Sequence, residues 1–234
     1  MEETPQRVLV VIPHPDDAEF WCAGTVARWI NQGASVCYVL CTDGDKGGND
    51  PHATSQELAP TREREQRDAA RILGVQEVVT LHRPDGELED TQDFRREIVR
   101  EIRRTRPELV LCPEPYRRNL AWHRDHRIAG QVTLDAVFPW ARDHLHFAEL
   151  WEEEGLEPYK TGTILFWGAE QPNTQINISE TIGVKIQAVL AHQSQMTGRT
   201  GAEIEEFVKE WAKNAGADQG YSYAEAFRQL TFRV

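Results

Sequence analysis

The sequence is poor in cysteine, and the few cysteines that it has do not suggest a disulfide framework. Only four occur in 234 residues, and no two of them form a C-x-x-C pair. Cys37, Cys41 and Cys112 lie in apolar, strand-like segments. This usage predicts buried free thiols in a cytoplasmic protein.

Positive charge and long apolar runs are also scarce. The 26 Lys and Arg residues are outnumbered by 38 Asp and Glu residues, which gives a formal net charge of −12. Phosphate backbones and anionic lipids repel such a chain, so we expect neither a nucleic-acid partner nor membrane insertion. The apolar run at residues 8–12 is too short for a signal peptide or a spanning helix, and the N-terminus lacks a basic n-region. We therefore expect a soluble protein that is not exported.

The sequence does contain a regular alternation of strand-like and helix-like segments. Its length suits one α/β domain with a substantial core, and no repeat, linker or low-complexity tract divides it, so we expect a single domain over residues 1–234. Apolar runs at 8–12, 35–41, 77–81 and 109–112 predict strands. Helices are predicted at 19–30, at 61–73 with Thr61 as the N-cap, and at 91–106.

The second half of the chain is less regular. It predicts a helix after His126, strands at 163–167 and 174–178, and helices near 180–192, 202–214 and 222–230. Right-handed crossovers turn this alternation into a Rossmann-like, doubly wound and mostly parallel α/β sheet with helices on both faces. Ligands of such sheets bind where the strand order reverses, so the loops after Ile12 and Cys112 should meet.

The first of these loops carries metal-ligand residues. A dinucleotide-binding protein would have glycines there, but this chain has PHPDDAE at residues 13–19. The carboxylates of Asp16 and Asp17 would repel a phosphate and attract a cation, which His14 could also bind. Only one of the adjacent aspartates can easily face the same ion, which leaves the other for proton transfer. The alternative is that both simply cap the following helix.

The second loop adds HRDH at residues 123–126, with His123, Asp125 and His126 as candidates. Each of these residues is weak evidence alone, because most histidines are core or surface residues. Ligand-type residues on two loops that the topology brings together are much stronger evidence for a site.

These two motifs resemble those of the LmbE-like N-deacetylases, a family that includes N-acetylglucosaminyl-phosphatidylinositol deacetylase. Shorter matches support the resemblance over most of the chain: TDG at 42–44, TRERE at 61–65, PDG at 84–86 and HQSQ at 192–195. Two departures are Arg124, where the family often has proline, and the lack of a tyrosine near Ala121.

The resemblance implies a role for each candidate residue. His14, Asp17 and His126 would bind one zinc ion, and Asp16 would act as general base. His123, oriented by Asp125, would support the oxyanion and the leaving group. Two histidines and one aspartate with an open fourth position form a catalytic rather than a structural zinc set.

Arg62 is implied to contact the substrate. The alternative is a solvated charge, because the predicted helix places Arg62 in an exposed first turn. His192, Ser194 and Gln195 follow a helix, and we favour a structural role for them.

The sequence therefore predicts a zinc-dependent hydrolase that removes the N-acetyl group from an N-acetylated amino sugar or its conjugate. One alternative is a metal-dependent phosphoesterase, which would need more ligands if it used two metals. The other is a non-catalytic, ligand-binding protein of the same fold, which would require neither Asp16 nor His123. The expected partner is a small molecule, and a homo-oligomer is compatible with the sequence.

Overall fold

The computed structural model describes residues 4–48, 52–119, 121–196 and 198–233. Within them seven strands form one sheet. The strands are β1 (Arg7–Ile12), β2 (Ser35–Thr42), β3 (Glu77–Arg83), β4 (Leu109–Pro113), β5 (Thr163–Trp167), β6 (Thr174–Asn177) and β7 (Ala224–Thr231). The helices are α1 (Asp17–Trp21), α2 (Ala23–Asn31), α3 (Ser55–Leu73), α4 (Gln92–Thr105), α5 (Arg124–Val137), α6 (Ala148–Glu152), α7 (Ile182–Leu190) and α8 (Gly201–Gly216).

The strand order is β3-β2-β1-β4-β5-β7-β6. The first five strands pair in parallel, and β7 pairs antiparallel with both β5 and β6. The strand order reverses between β1 and β4, so the loops that follow these two strands lie at one edge of the sheet. The predicted doubly wound, mostly parallel α/β fold is confirmed.

The core lies on both faces of this sheet. Alternate residues of β1 point to opposite sides: Val8 and Val10 pack with α2 and α3, and Leu9 and Val11 pack with α4 and α5. Burial on both faces explains why this strand is a continuous aliphatic run. None of the described helices combines the length and the apolar character that crossing a membrane requires.

Three helix predictions differ from the structure, and the first two concern residues 222–230 and the start of α3. The segment predicted as a helix near 222–230 is strand β7, where pairing on both edges and burial of Phe227 outweigh the helical propensity of its Ala, Glu and Gln residues. Helix α3 begins at Ser55, not at Thr61, because Thr54 Oγ1 accepts a hydrogen bond from Glu57 N and Pro60 is accommodated in the second turn.

The predicted helix at 19–30 is two helices. Cys22 separates α1 from α2 with a non-helical backbone (φ −142°, ψ 5°). The carboxylate of Glu225 on β7 then accepts hydrogen bonds from Gly24 N and Thr25 N at the start of α2. A carboxylate there stabilises the unpaired amides of the helix N-terminus.

Gly130 allows α5 to pack directly on the end of β4. A Cβ atom at this position would lie 2.3 Å from the carbonyl oxygen of Pro113, which is backbone and cannot easily move. We expect Gly130→Ala to lower the free energy of unfolding by about 1–3 kcal/mol, since the helix must shift away from the strand. Urea denaturation measures this change.

Gly183→Ala is the matched control, because a Cβ atom at Gly183 on α7 meets no atom within 4 Å. Its stability should stay unchanged or rise by up to about 1 kcal/mol through better helix propensity. Equal destabilisation by both substitutions would contradict the close packing of α5 on β4.

Candidate metal and catalytic site

The loop after β1 places His14 and Asp17 against each other. Asp17 is the first residue of α1, and its Oδ2 accepts a hydrogen bond of 2.8 Å from His14 N. The same oxygen lies 3.2 Å from His14 Nδ1. Both side chains are buried, so the short turn into α1 presents one nitrogen and one carboxylate at the same point.

The loop after β4 brings His126 to the same point. His126 lies in the first turn of α5, and its Nε2 is 3.1 Å from Asp17 Oδ1. Each of His14, Asp17 and His126 offers one ligand atom, and these three atoms lie within 4.8 Å of one another. Asp17 is the only ion-pair partner of His126 among the described residues, and the contact uses Nε2, which makes this nitrogen and the Asp17 carboxylate two neighbouring candidate ligand atoms. The predicted meeting of the two loops therefore occurs at the strand-order reversal.

The second ring nitrogen of His14 is held by two further carboxylates. Its Nε2 lies 3.1 Å from Asp125 Oδ2 and 3.2 Å from Asp85 Oδ1. Asp125 also accepts hydrogen bonds from Gly86 N (2.7 Å) and Leu88 N (3.2 Å), which fix its carboxylate. A carboxylate on the far nitrogen of a histidine is the usual support for a metal ligand.

Asp125 therefore contacts a different histidine from the one that was predicted. The backbone amides of Gly86 and Leu88, which follow β3, orient the Asp125 carboxylate toward His14. The expected partner of this carboxylate was His123. His123 interacts instead with the backbone of Asp125, since its Nδ1 accepts a hydrogen bond of 3.2 Å from Asp125 N. With Nδ1 as acceptor, a neutral His123 carries its proton on Nε2.

Asp85 is a site residue that our sequence reasoning quoted in a motif but did not assign. Together with His14 and His123 it forms a second group of three possible ligands that shares His14 with the first. The signal was the PDG motif directly after β3, because the end of this strand lies at the same edge of the sheet as the other two loops.

The charges of the site favour a cation. Burial alone would lower the pKa of His14, but hydrogen bonds to Asp125, Asp17 and Asp85 outweigh it and raise the pKa to about 11. Burial would raise the pKa of Asp17, yet the charge of His126 and hydrogen bonds from both histidines hold it well below its ordinary value. Burial and the neighbouring charge of His14 lower the pKa of His123. His14 is thus cationic without a metal, and His123 is neutral at pH 7.

Asp16 occupies a different environment from its neighbour Asp17. Its backbone is in the left-handed region (φ 95°), which non-glycine residues rarely adopt and which often marks functional sites. The backbone N–H donates to Gln66 Oε1 at 3.0 Å, and the side chain is partly exposed. Burial raises the pKa of Asp16 to about 6, against the opposing effect of the Arg62 charge.

Arg62 is buried, so the prediction of an exposed first-turn residue is wrong. Because α3 starts earlier than expected, Arg62 lies inside the helix and is only 3% exposed. Its guanidinium donates to Gly44 O (2.9 Å) and Pro15 O (2.5 Å), and it lies 3.3 Å from Asp16 Oδ2. A Cβ atom at Gly44 would come within 2.7 Å of the guanidinium. Contact of Arg62 with a substrate stays a prediction.

A buried chain of hydrogen bonds holds the backbone N–H of Asp16. Gln66, whose Oε1 accepts from Asp16 N, donates from Nε2 to Glu19 Oε1 at 3.0 Å. Glu19 Oε2 lies 3.2 Å from His192 Nε2. Glu19, Gln66 and His192 are each 0% exposed. The sequence analysis quoted Glu19 in the first motif without giving it a role and missed Gln66, because no local pattern reports contacts between residues so far apart in the chain.

The rest of the HQSQ segment joins two other parts of the site. Ser194 donates from its backbone N and its hydroxyl to the carboxylate of Glu65 on α3. Gln195 Nε2 donates to Gly47 O at 2.8 Å. These contacts agree with the structural role that was favoured for the segment.

Comparisons with known proteins agree with this geometry. The family model described as PIG-L, GlcNAc-PI de-N-acetylase, matches residues 9–137, which include both metal-ligand motifs. The chain is similar to diacetylchitobiose deacetylase of Thermococcus kodakarensis, with 34% identity over 95% of this chain and 82% of that protein. It is also similar to a probable N-acetyl-alpha-D-glucosaminyl L-malate deacetylase 2 of Bacillus anthracis, with 29% identity over 81% of each chain.

A solved structure gives the same result for the fold. N,N'-diacetylchitobiose deacetylase from Pyrococcus horikoshii, complexed with its inhibitor MPG, superposes with a TM-score of 0.89 and 29% identity. The superposition covers 97% of this chain and 84% of that one. The resemblance that the two histidine motifs carried is confirmed.

Arg62→Lys should lower the free energy of unfolding, because Arg62 is buried among backbone carbonyl groups. Lysine keeps the charge but cannot reach Gly44 O, Pro15 O and Asp16 together, so buried acceptors lose their partners. We expect a loss of about 2 kcal/mol in the free energy of unfolding, measured by urea denaturation. Arg64→Lys, an exposed change on the same helix, is the control and should be neutral. A stability of Arg62→Lys equal to that of the control would contradict the role of the buried guanidinium.

Proposed function

We propose a function for this chain from one premise: it belongs to the PIG-L family of de-N-acetylases. In our proposal it hydrolyses the acetamide of an N-acetylated amino sugar or its conjugate and releases acetate and a free amine. The observation that carries the proposal is the carboxylate of Asp16, which directly precedes the candidate ligand Asp17 in the chain and pairs with Arg62, but is not one of the three clustered ligand side chains.

His14, Asp17 and His126 are the residues that we propose hold one Zn²⁺ ion. Two imidazole nitrogens and one carboxylate oxygen are a donor set that zinc uses in catalytic sites. Asp85 and Asp125 on His14 Nε2 would keep its Nδ1 directed at the ion. When bound, such a metal supplies Lewis acidity that activates water and polarises the amide carbonyl.

Asp16 is the proposed general base. Its raised pKa, about 6, suits proton transfer near neutral pH. The Asp16 carboxylate takes a proton from the attacking water as the new C–O bond forms at the acetyl carbon. It then delivers the proton to the departing nitrogen as the C–N bond breaks, so that atoms and charges balance. Arg62 and Gln66 would hold Asp16 in place for both transfers.

His123 and Asp125 are the remaining proposed catalytic residues. Since His123 Nδ1 accepts from Asp125 N, the Nε2–H of a neutral His123 is free to donate to the developing oxyanion. Asp125 would act through His14 and through this backbone contact. We propose that His123 supports the oxyanion but not the leaving group, which the family resemblance also implied, because burial and the charge of His14 lower the pKa of His123.

The two alternatives explain less of the site. A phosphoesterase with two metals would need His14 in both ligand groups, which requires removing the proton that Asp85 and Asp125 accept from its Nε2. A non-catalytic binding protein would need neither a left-handed Asp16 nor the buried residues that support it.

The proposal further includes a single domain over residues 1–234, a cytoplasmic location, small-molecule rather than nucleic-acid partners, and the possibility of a homo-oligomer.

The first test compares the two adjacent aspartates. Zinc-loaded wild-type protein should release acetate from N-acetylglucosamine or its β-linked disaccharide. Asp17→Ala should lose most of its zinc, whereas Asp16→Asn should keep it and lose about 10²–10⁴-fold in kcat. Metal analysis and acetate assays measure the two effects. Stoichiometric zinc in both variants would show that the ligand assignment is wrong.

The second test is the pH dependence of kcat/KM. A general base must be ionised, so activity should fall as the pH drops through the raised pKa of Asp16, about 6. The zinc content has to be measured at each pH, because protons also compete with metal for His14. If the fall of kcat/KM at low pH matches the loss of zinc and nothing more, Asp16 is not the titrating group.

A further inference from the structure

We infer that Trp122 is a positioning residue for the candidate ligand His126. Together with Trp167 it takes the place of the hydrogen-bond partner that a metal-bound histidine usually has on its far nitrogen. The inference rests on the proposed zinc site and specifies how one of its ligands is held. Neither tryptophan offers an atom that could bind the ion, because the indole N–H is only a donor.

The two ligand histidines of the candidate site are supported in different ways. The far nitrogen of His14, Nε2, contacts the carboxylates of Asp85 and Asp125. The far nitrogen of His126, Nδ1, is buried, and none of the described residues forms a hydrogen bond with it. With Nε2 as the ligand atom, Nδ1 carries the proton of the neutral ring. A buried N–H group without a polar partner needs another favourable contact.

Two indole rings provide that contact. The ring centre of His126 is 4.6 Å from that of Trp122 and 5.3 Å from that of Trp167, and both indoles lie at 86° to the imidazole. Perpendicular aromatic rings at this spacing attract each other, because the positive edge of one meets the negative face of the other. An N–H group against an aromatic face gains a weak hydrogen bond of the same kind. The indoles therefore fix the plane of the imidazole without a polar group.

Both tryptophans are themselves held in place. Trp122 Nε1 donates to Glu114 O at 3.0 Å. A Cβ atom at Gly168 would lie 2.6 Å from the Trp122 ring, so this glycine leaves the space that the ring fills. Trp167, the last residue of β5, is 0% exposed and stacks on Trp21 with ring centres 5.5 Å apart. A side chain that orients a ligand must have its own conformation locked by packing, and both tryptophans meet this requirement.

Aromatic support adds no negative charge to a site that already contains several carboxylates. Asp17 contacts both ligand histidines, and Asp85 and Asp125 contact His14. A further carboxylate on His126 Nδ1 would be one more buried negative charge, which is unfavourable beside others of the same sign. The indoles orient His126 without this penalty. This difference explains why only one of the two histidines has carboxylates on its far nitrogen.

Zinc affinity, measured by competition with a chromophoric chelator, tests the inference without turnover. Trp122→Ala should weaken zinc binding by about 10–100-fold, as loss of a group that orients a metal ligand typically does. Trp122→Phe keeps an aromatic ring beside His126 and should bind zinc within about threefold of wild type. Trp211→Ala is the control, since this tryptophan packs on Trp21 at 4.6 Å and not on His126, and it should leave zinc affinity unchanged.

NMR of the imidazole N–H groups in zinc-loaded wild-type protein needs no variant. The His126 Nδ1–H proton should resonate upfield of the His14 Nε2–H proton, because an aromatic face shields a proton whereas a hydrogen bond to a carboxylate deshields it. In Trp122→Ala the His126 signal should move downfield and exchange faster with water, and in Trp122→Phe it should return toward its wild-type position. A purely structural role of Trp122 would not move this signal.

His126→Ala separates failure of this inference from failure of the proposed zinc site. Zinc loss in His126→Ala together with wild-type affinity in Trp122→Ala would overturn the inference and leave the ligand assignment intact. Equal zinc loss in Trp122→Ala and Trp122→Phe, or a His126 Nδ1–H signal as far downfield as that of His14, would also overturn it. Undiminished zinc binding in His126→Ala would show that the ligand assignment is wrong, and the inference would fail with it.

Discussion

A buried imidazole between carboxylates is the interaction on which the geometry of the candidate site depends. His14 faces Asp17 through Nδ1 and Asp85 and Asp125 through Nε2. These carboxylates come from the loop after β1, the loop after β3 and the start of α5, so one ring ties three parts of the sheet edge together. Buried charges are stable only when they are paired, which explains why the contacts around His14 are so dense.

The same constraint separates the roles of two neighbouring aspartates. Asp17 begins α1 and contacts both histidines, whereas Asp16 has a left-handed backbone conformation and its carboxylate lies against Arg62. That conformation is unfavourable for a residue with a side chain, and the surrounding structure must hold it. Arg62 and Gln66, both buried on α3, supply the contacts that do so. Helix α3 is in this sense as much a part of the candidate site as the two loops.

Sequence reasoning reached the fold and the two loops because both depend on strong local or topological signals. The aliphatic run of β1 and the strand-helix alternation fixed the reversal between β1 and β4, and hence the meeting of His14 with His126. The sequence-based predictions were wrong where a contact between residues distant in the chain determines the local structure or the partner of a side chain. Nothing near Arg62 in the sequence shows that its guanidinium contacts Gly44 O and Asp16 and leaves no room for a Cβ atom at Gly47. Nothing near 224–231 shows that two neighbouring strands pair with this segment. The Asp125 carboxylate turned toward His14 for the same reason: the amides that orient it follow a different strand.

The central claim is that His14 presents Nδ1, not Nε2, to the ion shared with Asp17 and His126. Side-chain ¹⁵N spectra of the histidines, recorded before and after one equivalent of zinc, test it most directly. We expect the signals of His14 Nδ1 and His126 Nε2 to move to metal-bound positions, while His14 Nε2 keeps its proton between Asp85 and Asp125 and His123 stays free of metal. A shift of His14 Nε2 together with His123 would contradict the claim, because it would place the ion in the second ligand group.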